Sequence, residues 1–549
     1  MTLSLRQHVE IAASSMDVEY RPILNHYRDL QEFLMPRRGR FLMSDRNKLP
    51  TFTKVIDNTA SMARRTLQSG MMAGITSPAR PWFKLGVADK DLQEFPAVNK
   101  WLRDVRDLMS EIFASSNIYN SLHVMYGEEG VFGTGAMLTL SDFDNVIMGQ
   151  TLTVGSYKIG VNDRGKVDML YREIPLTVHQ CVGRFGFDNV SQLVKDLYDR
   201  GAYSETVETY QMILPNPDRD PIKKDAKGKA FLSTYWERGS DSDKWLRMSG
   251  FDEFPAMIPR WEVLGGEPYG YGPGTIALGD TKQLQNEQKK KGQAISKMVS
   301  PPLLAPTSMR GEAITSLPGG VNYHDMVGNS AGIRSLYDVN FPVNYLTEDI
   351  REVQHRIDSA FYKDLFLMLA TSDRRQITAR EIEERHEEKL LMLGPVLERL
   401  HDELLNPLID RTFNLMARAG ILPVPPEEMR DQDIKVEYIS MMAQAQKAVG
   451  AATIERTIAF AGNLVAVFPE IRHKVDAMAA VDEYAEMNGA PPNIIIPTKD
   501  AKMAADEEAK NMQRMAMMQQ AESGAQSAKL LSETDTGDGK NAIQRMMGT

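Results

Sequence analysis

Between residues 281 and 310 the chain carries Lys282, Lys289, Lys290, Lys291, Lys297 and Arg310 against Glu287 alone, a local charge of +5. Cations at this density either solvate a helix face or neutralise phosphates. Three successive lysines on a helix of 3.6 residues per turn point in three directions, so Lys289, Lys290 and Lys291 cannot all meet one ligand. A second basic pair, Arg374 and Arg375, lies in the short polar run TSDRRQ. The pattern nearest to an enzyme's is Gly328-Asn329-Ser330-Ala331-Gly332, which matches GxSxG. That serine acts only from a strained strand-to-helix turn above a parallel sheet. Here polar NYHDMV precedes it, and Asn340 and Pro342 follow before any helix begins. A catalytic Ser330 is therefore not expected. His386-Glu387-Glu388 and His401-Asp402-Glu403 lack the second histidine of a zinc helix, and Asp142 and Asp144 have no further carboxylates to complete a calcium loop. No GxxxxGK[ST] occurs, and GYGPG (270–274) and Gly133-Thr134-Gly135 read as loops. The expectation is no catalytic residue, no metal site and no cofactor.

The elements that must position the basic groups follow from periodicity. Leu3, Val9, Tyr20, Leu24, Tyr27, Leu30 and Leu34 predict a first helix ending at Pro36, and 56–75, 97–115 and 119–129 predict three more. From about 135 the period becomes two. Residues 151–174 read as a hairpin turning at Asn162–Gly165, and 204–264 as one antiparallel group, with a helix at about 188–200 between them. No βαβ alternation occurs, so the class is α+β without a parallel sheet. After PYGYGPG the spacing predicts a helix over 275–298, an irregular Pro- and Gly-rich piece over 300–343, and a helix over 345–370. The stretch 378–419 reads as a long helix with a capping box at Thr378 and Glu381 and a stripe of Leu390, Leu393, Leu397, Leu400, Leu404 and Leu408. Pro395 cannot donate to the carbonyl of Leu391, so a kink is expected at Gly394-Pro395. Residues 431–490 give a short strand, IKVEYI, and helices; the polar tail after 500 is expected to be partly helical.

Composition bounds the function. The 549 residues suit about three to five structural units of ~100–200 residues each. With 64 basic and 74 acidic side chains the net charge is −10, which excludes a chain-wide nucleic-acid coat. One cysteine, Cys181, excludes an internal disulfide framework and a cysteine zinc site. The N-terminal residues do not pattern as a secretory signal and no apolar run is long enough to cross a bilayer, so an intracellular soluble product is expected. The 33 methionines, paired at 71–72, 441–442, 517–518 and 546–547, read as core filler or as an adaptable contact surface.

Several stretches resemble the head-to-tail connector (portal) proteins of short-tailed bacteriophages. They are IDNTASMARRTLQSGMMAGITSPARPWFKL (56–85), MYGEEGVFGTGAMLT (125–139), GYGPGTIALGDTKQLQNEQKK (270–290), PPLLAP (301–306) and 377–423, in matching order. The resemblance implies a multidomain subunit of a ring, usually of twelve copies, at one capsid vertex of the virion, made in the host cytoplasm. It implies an α+β wing (1–274), stem helices (275–299 and 343–370), a clip (300–342) and a tunnel loop (371–378). A long kinked wing helix (379–430), a helical crown (431–499) and a C-terminal tail (500–549) follow. Double-stranded DNA would pass through the channel without sequence specificity, with Arg374, Arg375, Lys289, Lys290, Lys291 and Lys297 as channel candidates. Met309 and Arg310 are the clip-contact candidates. Terminase, major capsid and scaffolding proteins and tail adaptors are the implied partners. Another phage structural protein, a minor capsid or adaptor component, is the alternative, with a GxSxG hydrolase as a remote third.

Overall fold

Ser4 opens the first helix, α1 (Leu5–Leu34), by a capping box in which its hydroxyl and the Gln7 side chain satisfy each other's backbone N–H groups. Val9, Ala13, Met16, Tyr20, Tyr27, Leu30 and Leu34 form its buried stripe. The computed structural model describes residues 4–41 (apart from 37), 54–237 (apart from 88, 90, 91, 93 and 94), 244–304, 310, 314–315, 334–335, 343–371, 393–429, 434–440, 457–464, 468, 474, 476–487 and scattered positions beyond 500. Three further helices follow: α2 (Thr59–Gly74), α3 (Pro96–Ser115) and α4 (Ile118–Phe132). Every residue of α4 from Met125 to Phe132 is buried, so α4 is a core helix enclosed on all sides rather than an amphipathic one. It stops at Gly133, whose φ of +73° only glycine adopts freely.

The strands pair antiparallel throughout the described residues. β2 (Met137–Asp142) lies between β3 (Val146–Thr151) and the two-residue β9 (Ala256–Met257). β4 (Tyr157–Val161), β5 (Val167–Thr177), β6 (Thr206–Pro215), β7 (Phe231–Glu237) and β8 (Arg247–Phe251) form a five-stranded meander in chain order. The expected hairpin turn is there: Asn162 Oδ1 accepts from the N–H groups of Arg164 and Lys166, and Gly165 has φ +73°. Tyr171, Met212 and Trp236 pack on α1, while Tyr235 packs on the opposite face against Cys181, Phe185 and Val194. Two corrections apply. The 204–264 strands are not one group, because β9 leaves the meander for β2. The helix expected at about 188–200 is α6 (Gln192–Asp199), but an unexpected helix, α5 (Val178–Phe185), precedes it and ends at Gly186, whose φ is +86°.

Beyond the sheets run α7 (Pro273–Val299) and α8 (Val343–Ala360), packed on each other. The two ends of the insert between them meet, since β10 (Leu303–Leu304) pairs with β11 (Arg334–Ser335). The helix expected to run through 343–370 breaks after Ala360. Tyr362 takes φ +52°, and the chain restarts as α9 (Lys363–Thr371), so that Phe361 and Phe366 are both buried and α9 packs on α2. Gly394 and Pro395 open α10 (Gly394–Leu400), with proline in the first turn, where its missing N–H costs nothing. The upstream arm of the expected kink lies outside the described residues. The distortion within them is a π turn at His401–Leu405, where Asn406 N–H donates to His401 O five residues back, before α11 (Asn406–Ala419). Pro407 supplies the reason: lacking an N–H, it cannot donate to Glu403 O four residues earlier.

IKVEY is β12 (Ile434–Tyr438), and it pairs with β1 (Phe83–Val87) in register Phe83↔Tyr438 through Val87↔Ile434. It therefore packs with the N-terminal elements rather than opening a separate C-terminal part at 431. The chain divides into Met1–Ala443 and Gln444–Thr549. In the second unit α12 (Ala477–Met487) is described, and Met512, Met515, Met517 and Met518 are exposed there.

Candidate nucleic-acid interface

The basic segment is built on α7, and α7 is anchored at one half only. Its buried residues are Pro273, Gly274, Ala277, Leu278, Thr281, Leu284 and Gln285; none follows Gln285. Glycines make the anchor possible. A Cβ on Gly133 would stand 2.3 Å from Gly270 O, one on Gly272 2.8 Å from Glu129 O, and one on Gly274 2.4 Å from Val131 O. The loop 270–274 and the end of α4 thus touch backbone to backbone, which excludes any larger side chain.

The residues before α2 clamp both α7 and α8. Gln285 Oε1 accepts from Ile56 N and Asp57 N at 2.6 and 2.8 Å, and its Nε2 donates to Asp57 O at 2.9 Å. Asp57 Oδ1 accepts from Thr59 N at 2.8 Å, while its Oδ2 accepts from Gln288 and Gln354. Burial pushes the Asp57 carboxyl up, but the hydrogen bonds from Thr59, Gln354 and Gln288 outweigh it and hold it below its ordinary value. Sequence reading passed over this node. Its signal was the Asp57-Asn58-Thr59 run before a helix, which has the composition of an N-terminal cap.

The candidate cations separate into bound and unbound. Lys282 pairs with Asp29 at 2.6 Å and lies 5.6 Å from the Phe33 ring centre, so its charge is spent within the fold. Lys289, Lys290 and Lys297 are exposed and Lys291 is half-buried; none has an ion pair among the described residues. Arg310 is exposed. Met309, Arg374, Arg375 and Ser330 lie outside the described residues, as does His386.

The other motifs resolve into structure. His401 stacks on Tyr438 with ring centres 4.1 Å apart and planes 8° apart, and burial lowers its pKa. Glu403 pairs with Arg260 at 2.5 Å. Asp142 closes the β2–β3 turn by accepting from Asn145 N and Nδ2. No group of three metal-ligating side chains occurs among the described residues, and none of the described helices is long and apolar enough to cross a membrane.

This arrangement, a half-anchored helix with free lysines beyond its clamp, can be set beside known proteins. The family described as bacteriophage head to tail connecting protein matches residues 6–496. The chain belongs to that family. A portal protein of Salmonella phage epsilon15 is 46% identical over 516 residues, 94% of this chain and 93% of its own length. A probable portal protein of Bordetella phage BPP-1 is 44% identical over 514 residues, 93% of each. The family stretches at 125–139 and 270–290 contain the glycines that bring α4 and the start of α7 into backbone contact, and the stretch at 56–85 contains the Asp57 clamp. In this connector-family chain those segments build the base from which α7 projects.

Proposed function

We propose that the chain is the portal subunit of a phage capsid, acting as a structural channel component rather than an enzyme. In this reading copies close into a ring, usually of twelve in the family, and double-stranded DNA passes along its axis. The portion 1–274 serves as wing, α7 and α8 as stem, 300–342 as clip for terminase, 371–378 as tunnel loop, and the C-terminal unit contributes the crown. Capsid, scaffolding and tail-adaptor proteins would meet the outer surfaces.

The observation that carries this reading is the free half of α7. From Gly292 to Ser300 no residue is buried, yet the segment includes Ile295, Met298 and Val299, which are 42%, 45% and 76% exposed. A helix end that is bare all round and partly apolar gains by packing against neighbours, and a head-to-tail contact repeated by rotation closes a ring. Lys297 there, with Lys289 and Lys290 just before it, would meet phosphates without reading sequence. Twelve copies at −10 each give an acidic ring of about −120, which guides DNA without gripping it. Negative-stain images of the purified protein test the proposal: closed rings with an axial hole are expected. A strictly monomeric mass at all micromolar concentrations overturns it.

A further inference from the structure

Five basic residues are buried among the described residues: Arg6, Lys158, Arg172, Arg260 and Arg411. Four have a carboxylate. Arg6 pairs with Glu10, Lys158 with Asp17 and Glu173, Arg260 with Glu403, and Arg411 with Glu253. Arg172 has none among the described residues. It sits on β5 between β4 and β6, 6% exposed, and its guanidinium makes one hydrogen bond, to Gln150 Oε1 at a long 3.3 Å. Burial first, and then the charge of Arg184, lower its pKa to about 10, against an opposing contribution from Tyr235. A buried cation without a counter-charge costs far more than a paired one.

The guanidinium is not sealed in. Arg172 lines a cleft of about 320 Å³ with Arg40, Gln150, Thr153, Ser156 and Glu173. Glu173 is engaged with Lys158 at 2.9 Å. Arg40 is held in place by its backbone: its N–H donates to Val154 O at 2.9 Å, and a Cβ on Gly155 would meet its C and O at 2.8 Å. Gly155 has φ +87° and Gly39 φ +95°, so two glycine-dependent turns bring Arg40 to the cleft wall, where its Nη1 donates to Gly39 O at 2.8 Å and its remaining N–H groups are the ones offered to a ligand.

We propose that this cleft binds a small oxyanion, with Arg172 as the buried counter-charge and Arg40 as the outer clamp. The planar fork of a guanidinium matches the paired oxygens of phosphate or carboxylate. The shared chemistry is the oxyanion; its source is a free phosphate-type ion or a carboxylate side chain.

The test uses the purified full chain before ring assembly, at constant ionic strength, with inorganic phosphate and acetate titrated separately against chloride. A saturable rise in the thermal midpoint with at least one oxyanion is expected. A phosphate response identifies a free ion, and an acetate response without one identifies a carboxylate. Arg172→Met should abolish the saturable response, and Arg40→Ala and Arg172→Lys should weaken apparent affinity about tenfold or more, the ratio that one charge-assisted hydrogen bond supplies. If Arg172→Met does not fold, the other two variants carry the test. A parent that responds to chloride as it does to both oxyanions overturns the proposal. So does an affinity unchanged in both Arg40→Ala and Arg172→Lys.

Discussion

Gln288 of α7 and Gln354 of α8 donate to one and the same oxygen, Asp57 Oδ2, at 2.8 and 2.9 Å. A single carboxylate thereby sets the separation of the two helices at the level of the α2 N-terminus. Asp57→Asn replaces an acceptor with a donor facing two donors, so a loss of about 1–3 kcal/mol is expected, toward the low end because the site is partly exposed. The parent should keep this contribution at neutral pH. Because the folded carboxyl lies below its ordinary value, the stabilisation is present above the unfolded pKa of about 4 and is lost as pH falls through the folded value. Denaturation of parent and variant from pH 7 to pH 2 should show two curves that converge in acid; parallel curves would remove Asp57 from this role.

Gly70 and Phe366 offer a packing test. A Cβ on Gly70 would stand 2.3 Å from Phe366 Cδ1 and Cγ and 2.5 Å from its Cβ, too near the backbone for the ring to swing clear. Gly70→Ala should destabilise by about 1–3 kcal/mol despite alanine's better helix propensity. Phe366→Leu should be less harmful in the Gly70→Ala background than alone, a coupling that a double-mutant cycle measures. Strict additivity would mean that α2 and α9 do not meet as described.

Glu128, on α4, gives the opposite pH dependence from Asp57. It is fully buried, and burial raises its pKa to about 7, although Arg38 at 3.0 Å and the Val154 N–H pull it down. A carboxyl raised on folding contributes stability that is present below its unfolded value and is lost as pH rises toward about 7. Glu128→Gln keeps an acceptor for Val154 and should remove this loss. The variant should gain on the parent by up to roughly 3 kcal/mol between pH 4.5 and pH 7. A difference between the two proteins that stays constant over this range would contradict the assignment.

On the proposed portal reading, replacing Arg374 and Arg375 by alanine should leave ring assembly intact and alter DNA packaging or retention, more so at low salt. Removing Lys289, Lys290 and Lys297 should lower the slope of log affinity against log salt by about 0.9 for each phosphate that is no longer neutralised, equally for unrelated DNA sequences. Parent-like packaging and an unchanged salt slope at every ionic strength would strike these residues from the interface.

What was legible in the sequence was local. The α1 stripe, the Asn162–Gly165 turn and the limits of α7 follow from periodicity and turn chemistry acting over a few residues. The split at Tyr362 was not legible, because a tyrosine in left-handed backbone is held there by Phe361 and Phe366 finding separate places in the core. The π turn left a faint trace in Pro407, overshadowed by Gly394-Pro395. Lys282 looked like one more free cation until Asp29, distant in sequence, came beside it. Arg172 gave no sign at all, since only the fold shows which buried arginine lacks its acid.

The pairing of β1 with β12 also governs how this chain is born. Phe83–Val87 leaves the ribosome long before Ile434–Tyr438, and at about 5–20 residues per second the wait is on the order of tens of seconds. During that time an apolar strand has an open edge and no native partner. Closing so long a loop is entropically costly and kinetically slow. The nascent chain therefore carries residues 83–87 without their partner strand for most of its synthesis, an interval in which that apolar edge is open to pairing with another chain.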